Sequence, residues 1–152
     1  MAIGEICSRT VVYVRKTESV AAAAKLMREH HVGSLVVVDE AKGKPAPVGI
    51  LTDRDITVAV VAPGLDAAAI LAGDVMSAEL TSVREDGGVA ETVDLMRLKG
   101  VRRLPVVDRE GVLVGLVAAD DILLLLAEEM SALAGMISRE ARQERIARQA
   151  VV

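Results

Sequence analysis

No tryptophan and no phenylalanine occur among the 152 residues, and Tyr13 is the one tyrosine. Without aromatic platforms the chain cannot hold single strands of nucleic acid by stacking bases, so any planar ligand has to sit between aliphatic side chains. A basic excess is missing too: 18 Lys and Arg face 22 Asp and Glu, a net charge of −4 that argues against general affinity for nucleic acid. The single cysteine, Cys7, excludes an internal disulfide and agrees with a reducing compartment. Long apolar runs are absent. Uncharged stretches such as Ile56 to Leu65 are about half of what a membrane-spanning helix needs, and no basic segment followed by a long apolar run opens the chain. The expectation is a soluble, cytoplasmic protein without a membrane partner. His30 and His31, the only histidines, are adjacent and on a helix point about 100° apart, a poor geometry for joint metal ligation. No Ser, Cys and His grouping recurs, so neither a metal site nor a catalytic site is expected.

What the chain does have is a repeat. Gly4 to Asp39 laid over Gly73 to Asp108, a shift of 69, gives 14 identities in 36 pairs, among them Gly4/Gly73, Ser8/Ser77, Leu35/Leu104 and Asp39/Asp108. The match resumes at a shift of 66 with Val48/Val114, Gly49/Gly115, Asp55/Asp121 and Ile56/Ile122, so the first copy carries three extra residues in the stretch Glu40 to Pro47. An indel confined to a turn leaves paired strands in register. Cys7 aligns with Met76, which reads as a small buried apolar side chain.

Periodicity changes in the same order in each copy. Val11 to Val14 is β-rich, Ser19 to His30 is helical in spacing, Leu35 to Val38 is β-branched, Val48 to Leu51 reads as a strand, and Asp53 to Ala62 as a helix stopped by Pro63 and Gly64. The second copy repeats this with Leu80 to Val83, Val89 to Lys99, Leu104 to Val107, Leu113 to Val117 and a helix from Ala119. Ser19 and residues around Asp86 read as helix caps, and Gly33 and Gly100 fall where the first helices end. The fold class is therefore α/β, in two β-α-β-β-α repeats packed face to face by a pseudo-twofold axis, with two clefts between them. Residues 1–70 form the first unit, 71–126 the second, and 127–152 a helical extension. That extension carries Leu125, Leu126, Met130, Leu133 and Ile137 at three- and four-residue spacing. The stripe docks on a second subunit or folds back over its own chain. Arg139, Arg142, Arg145 and Arg148, interleaved with Glu140 and Glu144, read as a solvated, self-paired surface.

Chemistry concentrates where a strand turns into a helix, at Gly49 to Asp55 and Gly115 to Asp121. Such a helix start presents unpaired amides and suits a phosphate. Thr52 adds a hydroxyl, and a carboxylate at Asp55 can accept from two vicinal ribose hydroxyls. The alternative is plain helix capping by Thr52 or Asp53, with Asp55 stabilising the helix dipole.

The duplicated unit, the runs Val32 to Asp39 and Val101 to Asp108, and the two Gly-x-x-Thr/Ala-x-x-Asp segments resemble a tandem pair of CBS (cystathionine β-synthase) domains over about Ile3 to Leu126. The chain is similar to stand-alone bacterial proteins made of one such pair with a charged C-terminal helix. The resemblance implies a regulatory, non-enzymatic module, called a Bateman module, that binds AMP, ADP, ATP or S-adenosylmethionine and forms a disc-like homodimer through its helices. It implies ribose-binding carboxylates at Asp55 and Asp121 and a phosphate-side hydroxyl at Thr52. Arg102 and Arg103, where the first copy has Gly33 and Ser34, are implied to reach phosphates, and the base is implied to lie near Val12, Val32, Thr81 and Val101. Ala118 stands where the family often has Thr or Ser. The regulated protein would be another chain. The alternative is a structural or interaction module with vestigial clefts.

Overall fold

The computed structural model describes residues 1–40 and 42–150. In the first copy the order is α1 (Ile3–Ile6), β1 (Tyr13–Arg15), α2 (Val20–His30), β2 (Ser34–Asp39), β3 (Ala46–Thr52) and α3 (Asp53–Ile56). The second runs α4 (Ala72–Val75), β4 (Val83–Arg84), α5 (Val89–Lys99), β5 (Arg103–Val107), β6 (Leu113–Ala118) and α6 (Ala119–Gln149). The expected stretch Glu40 to Pro47 includes Ala41, and the expected extension reaches residue 152; Ala41 and residues 151–152 lie outside the described part.

Each copy forms a three-stranded sheet, β1-β2-β3 and β4-β5-β6, with a parallel first pair and an antiparallel second. Both hairpins carry a register irregularity at the aligned place, between Val37 and Val38 and between Val106 and Val107. The first strands are shorter than their β-rich sequence suggests. Residues such as Val12 and Thr81 precede the ladder instead of joining it. The continuous apolar run Leu35–Val38 is buried throughout because helices cover one face and the other sheet covers the second. Val36, Val38 and Leu113, backed by Val11 and Leu116, form that face-to-face seam.

Helix ends show what local chemistry decides. Ser19 caps α2, its hydroxyl accepting from the Ala22 amide at 3.1 Å. The corresponding cap of α5 is Gly88 with no side-chain bond, while Asp86 pairs with Arg84. At the other end, Gly100 turns left-handed (φ 65°) as expected, but the residue that does so in the first copy is His31 (φ 53°), two positions before Gly33. The helix after β3 stays regular only to Ile56. The β-branched run Thr57–Val61 winds as a π-helical turn, Ala62 N donating to Thr57 O at 2.9 Å.

The two copies also exchange their leading segments. Ile3 and Cys7 pack in the second copy's core with Val106, Val117 and Ile122, while Ala72, Val75 and Met76 pack in the first copy's core with Val14, Val37 and Leu51. Ser8 and Leu116 exchange backbone hydrogen bonds at 2.9 Å each way, and Ser77 and Ile50 do the same at 2.9 and 3.1 Å. The repeated glycines make room for this crossing: a Cβ on Gly49 would lie 2.7 Å from Ser77 O, and one on Gly115 would lie 2.6 Å from Cys7 Sγ and 3.0 Å from Ser8 O. Cys7 is thus the buried apolar filler expected, and burial pushes its thiol pKa up.

Among the described residues no helix is long and apolar enough to cross a membrane. α6 does not fold back over its own chain. Ile122 is its last buried side chain, and every residue from Leu126 to Gln149 is exposed.

Candidate functional site

Between the copies lies a cleft of two adjoining compartments, about 500 Å³ and 310 Å³, which share Ile50, Ser77, Glu79, Val101 and Arg103. The exchange builds it. The segment that crosses to bond Ile50 continues as Glu79, Leu80 and Thr81, and so forms one wall. The end of α5 and the start of β5 supply Lys99, Val101, Arg102 and Arg103, and the first copy supplies Ser34, Ile50 and Thr52. Thr52, Thr81, Val101, Arg102 and Arg103, named from the sequence, therefore meet in one place. Lys99, Glu79 and Ser77 join them without having been named. Lys99 reads in sequence as a basic residue closing a helix, and nothing local reveals that the helix ends at a cavity.

Arg102 donates to Asp120 Oδ1 at 2.8 Å across an exposed ion pair, on the first turn of α6. No ion pair among the described residues engages Lys99 or Arg103. The cleft thus presents two uncommitted cations, hydroxyls at Thr52, Thr81, Ser77 and Ser34, and aliphatic walls at Ile50, Leu80 and Leu104. This set suits an anionic, hydroxyl-bearing ligand with a flat apolar part.

Asp55 and Asp121 both work as helix caps here. Asp55 Oδ2 accepts from the Thr52 amide at 2.9 Å while Thr52 Oγ1 accepts from the Asp55 amide at 3.1 Å, a reciprocal capping box. Asp121 Oδ2 accepts from the Ala118 amide at 3.1 Å, but Ala118 returns nothing, and α6 has no side-chain cap. The expectation of unpaired amides at the first copy's helix start is corrected. Asp53 N donates to Gly33 O, Arg54 N to Asp53 Oδ1 and Asp55 N to Thr52 Oγ1, so side chains rather than main-chain amides face an anion there. Asp55, Asp121, Val12 and Val32 do not line the cavity; Val12 and Val32 pack against the core around Val14 and Val37.

Val101 lines a second surface as well. A groove of about 420 Å³ runs between α5 and α6, lined by Val93, Met96, Val101, Ile122, Leu123 and Leu126 among others. The turn from Gly100 to Arg103 thus separates the polar cleft from an apolar groove. Among the described residues no group of three or more His, Cys, Asp or Glu could hold a metal ion.

Comparison with known proteins agrees with this architecture. The family model described as "CBS domain" matches residues 3–62 and again 72–128. The uncharacterized protein MK0525 of Methanopyrus kandleri is 43% identical over 81% of this chain, which spans 61% of that relative's length. Hypoxic response protein 1 of Mycobacterium tuberculosis is 35% identical over 82% of this chain and 84% of its own. The crystal structure of Hypoxic Response Protein I with two coordinated zinc ions superposes with a TM-score of 0.71 at 32% identity, covering 81% of this chain and 97% of that one. The CBS domain pair of protein MJ0100, in complex with 5'-methylthioadenosine and S-adenosyl-L-methionine, gives 0.69 at 27% identity, covering 85% and 98%.

Proposed function

The chain belongs to the CBS domain family, with the unit present twice, and from that premise we propose that it is a non-catalytic sensor binding a phosphorylated adenosine compound in the cleft between its copies. The observation that carries this reading is the pair of uncommitted cations, Lys99 and Arg103, facing a cavity rimmed by hydroxyls. Phosphates meet Lys99, Arg102 and Arg103; the base lies against Val101, Ile50 and Leu80; the ribose sits toward Thr52, with Asp55 behind it in the capping box. Charge-assisted hydrogen bonds of this kind contribute about 1.5–3 kcal/mol each. S-adenosylmethionine is the second reading, favoured by the MJ0100 complex and by the carboxylate of Glu79 in the cleft.

The signal leaves through the Gly100–Arg103 turn, which touches the ligand on one side and the α5/α6 groove on the other. Two copies join along that groove and α6 as a homodimer, and a ligand shifts their packing only by its difference in affinity between the two arrangements. The regulated partner is a separate chain.

Calorimetry with AMP, ADP, ATP, S-adenosylmethionine and NAD tests the reading. Arg103→Ala or Lys99→Ala is expected to weaken the preferred adenosine phosphate about 10- to 100-fold. Asp55→Asn, which keeps an acceptor for the Thr52 amide, separates the two uses of that carboxylate: lost affinity at an unchanged melting temperature assigns it to the ribose, and unchanged affinity leaves it as a cap alone. Binding of S-adenosylmethionine alone favours the second reading. No heat and no thermal shift with any of these at millimolar concentration leaves the interaction-module alternative.

A further inference from the structure

α6 runs 31 residues, about 46 Å at 1.5 Å per residue, and leaves the body after its second turn, past Leu126. The family match ends at residue 128, so most of the exposed part lies outside the matched CBS units. Leu124, Leu125, Met136 and Ile146 lie off any single line, but six of its apolar side chains are regularly spaced. Ala119, Leu123, Leu126, Met130, Leu133 and Ile137 follow one another at alternating four- and three-residue steps, a period of 3.5. That period marks a seam between two coiled helices, where a helix lying on a globular body follows 3.6. The seam is open: Leu126 is 49% exposed, Met130 70%, Leu133 57% and Ile137 61%. Along one side of it stand Ala127, Ala134 and Ala141, small enough for another helix to come close.

The charges along α6 select what covers the seam. From Ala119 to Ser138 the helix carries Asp120, Asp121, Glu128 and Glu129 and no basic residue, a charge of −4. From Arg139 to Gln149 it carries four arginines and two glutamates, 4 − 2 = +2. Such a helix is complementary to itself reversed. In a parallel pair, like halves lie side by side, and the next two seam positions, Glu140 and Glu144, face their own copies. In a reversed pair Glu140 falls opposite Leu123, which is 67% exposed, and Glu144 opposite Ala119, where α6 starts on the body's own core, so neither glutamate faces its own copy.

We propose that α6 pairs with α6 of a second copy of this chain in antiparallel orientation, Leu126 of each facing Ile137 of the other and Met130 facing Leu133. This rests on the homodimer reading above and adds the direction and register of the contact.

Disulfide trapping tests it on the full chain, since the native cysteine, Cys7, is buried and the seam positions are exposed. In the antiparallel pair the two copies of residue 126 stand 11 residues apart along the axis, about 16 Å, beyond the roughly 7 Å Cα separation a disulfide tolerates. Leu126→Cys alone is therefore expected to give no covalent dimer on mild oxidation, while the double variant Leu126→Cys, Ile137→Cys gives one on a non-reducing gel. Linkage of Leu126→Cys alone means a parallel pair and overturns the proposal. A chain that is dimeric by light scattering but links in neither variant places α6 elsewhere and also overturns it, leaving the homodimer reading intact. A monomeric mass at micromolar concentration overturns both.

Discussion

His31 holds a backbone conformation that side chains with a Cβ resist, and its counterpart Gly100 shows the residue that fits. Left-handed geometry costs an L-residue about 1–2 kcal/mol, part of which glycine gives back through its freer unfolded chain. His31 is exposed, so its removal loses no packing. His31→Gly is expected to stabilise the protein by up to about 1 kcal/mol, raising the melting temperature by roughly 2–4 °C in a scanning calorimeter; a fall would show that the imidazole makes a contact worth more than the strain. The aligned pair is visible in the sequence, but Gly33, two positions on, is the residue type that usually marks a helix end, and it draws the eye from His31. At Thr52 and Asp55 the residues were legible and one proposed use, capping, is on display. The cations were half legible: Arg102 and Arg103 stood out against Gly33 and Ser34, whereas Lys99 did not.

At the scale of elements, β-branched runs and helical spacing located the strands and the longer helices to within a few residues, because burial on one or both faces imposes those patterns; the four-residue helices α1 and α4 are too short to carry a period and were not legible. Periodicity was silent about the π-helical turn at Thr57–Val61, which depends on how a crowded run winds. The β5–β6 hairpin turn has a test of its own. Asp108 Oδ1 accepts from the amides of Glu110 and Val112, each at 2.9 Å, and these bonds, Val112's foremost, hold its carboxyl below the usual carboxylate range. A depressed folded-state pKa gives stability that is complete above the unfolded value of about 3.9 and is lost as pH falls through the folded one. Asp108→Asn is thus expected to be less stable than the native chain at pH 7, with the gap closing below about pH 4. Urea titrations across that range measure it, and a gap independent of pH would refute the account.

For the molecule as a whole, the sequence displayed two units and hid their exchange. Local patterns report which face of an element is buried, not whose core receives it. The residues that make room for it, Gly49/Gly115 and Cys7/Met76, are paired in the repeat, but paired small or apolar positions fit an ordinary core equally well. The cleft comes from the same exchange, since its wall is the crossing segment itself. Ile3 is fully buried, in the other copy's core. Ile3→Ala is expected to cost about 2–5 kcal/mol and to speed amide exchange in β5 and β6, far away in sequence. Exchange that rose only around β1 and β2 would deny the coupling.

The exchanged segment also sets an order in time. Ile3 leaves the ribosome 119 residues (122 − 3) ahead of Ile122, a core partner that completes its burial. Loops that long close slowly, and apolar surface left open meanwhile invites wrong contacts. The first copy likewise waits for Ala72 and Met76 to fill its core. Nascent chains of this protein therefore gain protease resistance late and all at once, when the second sheet emerges, rather than in two halves.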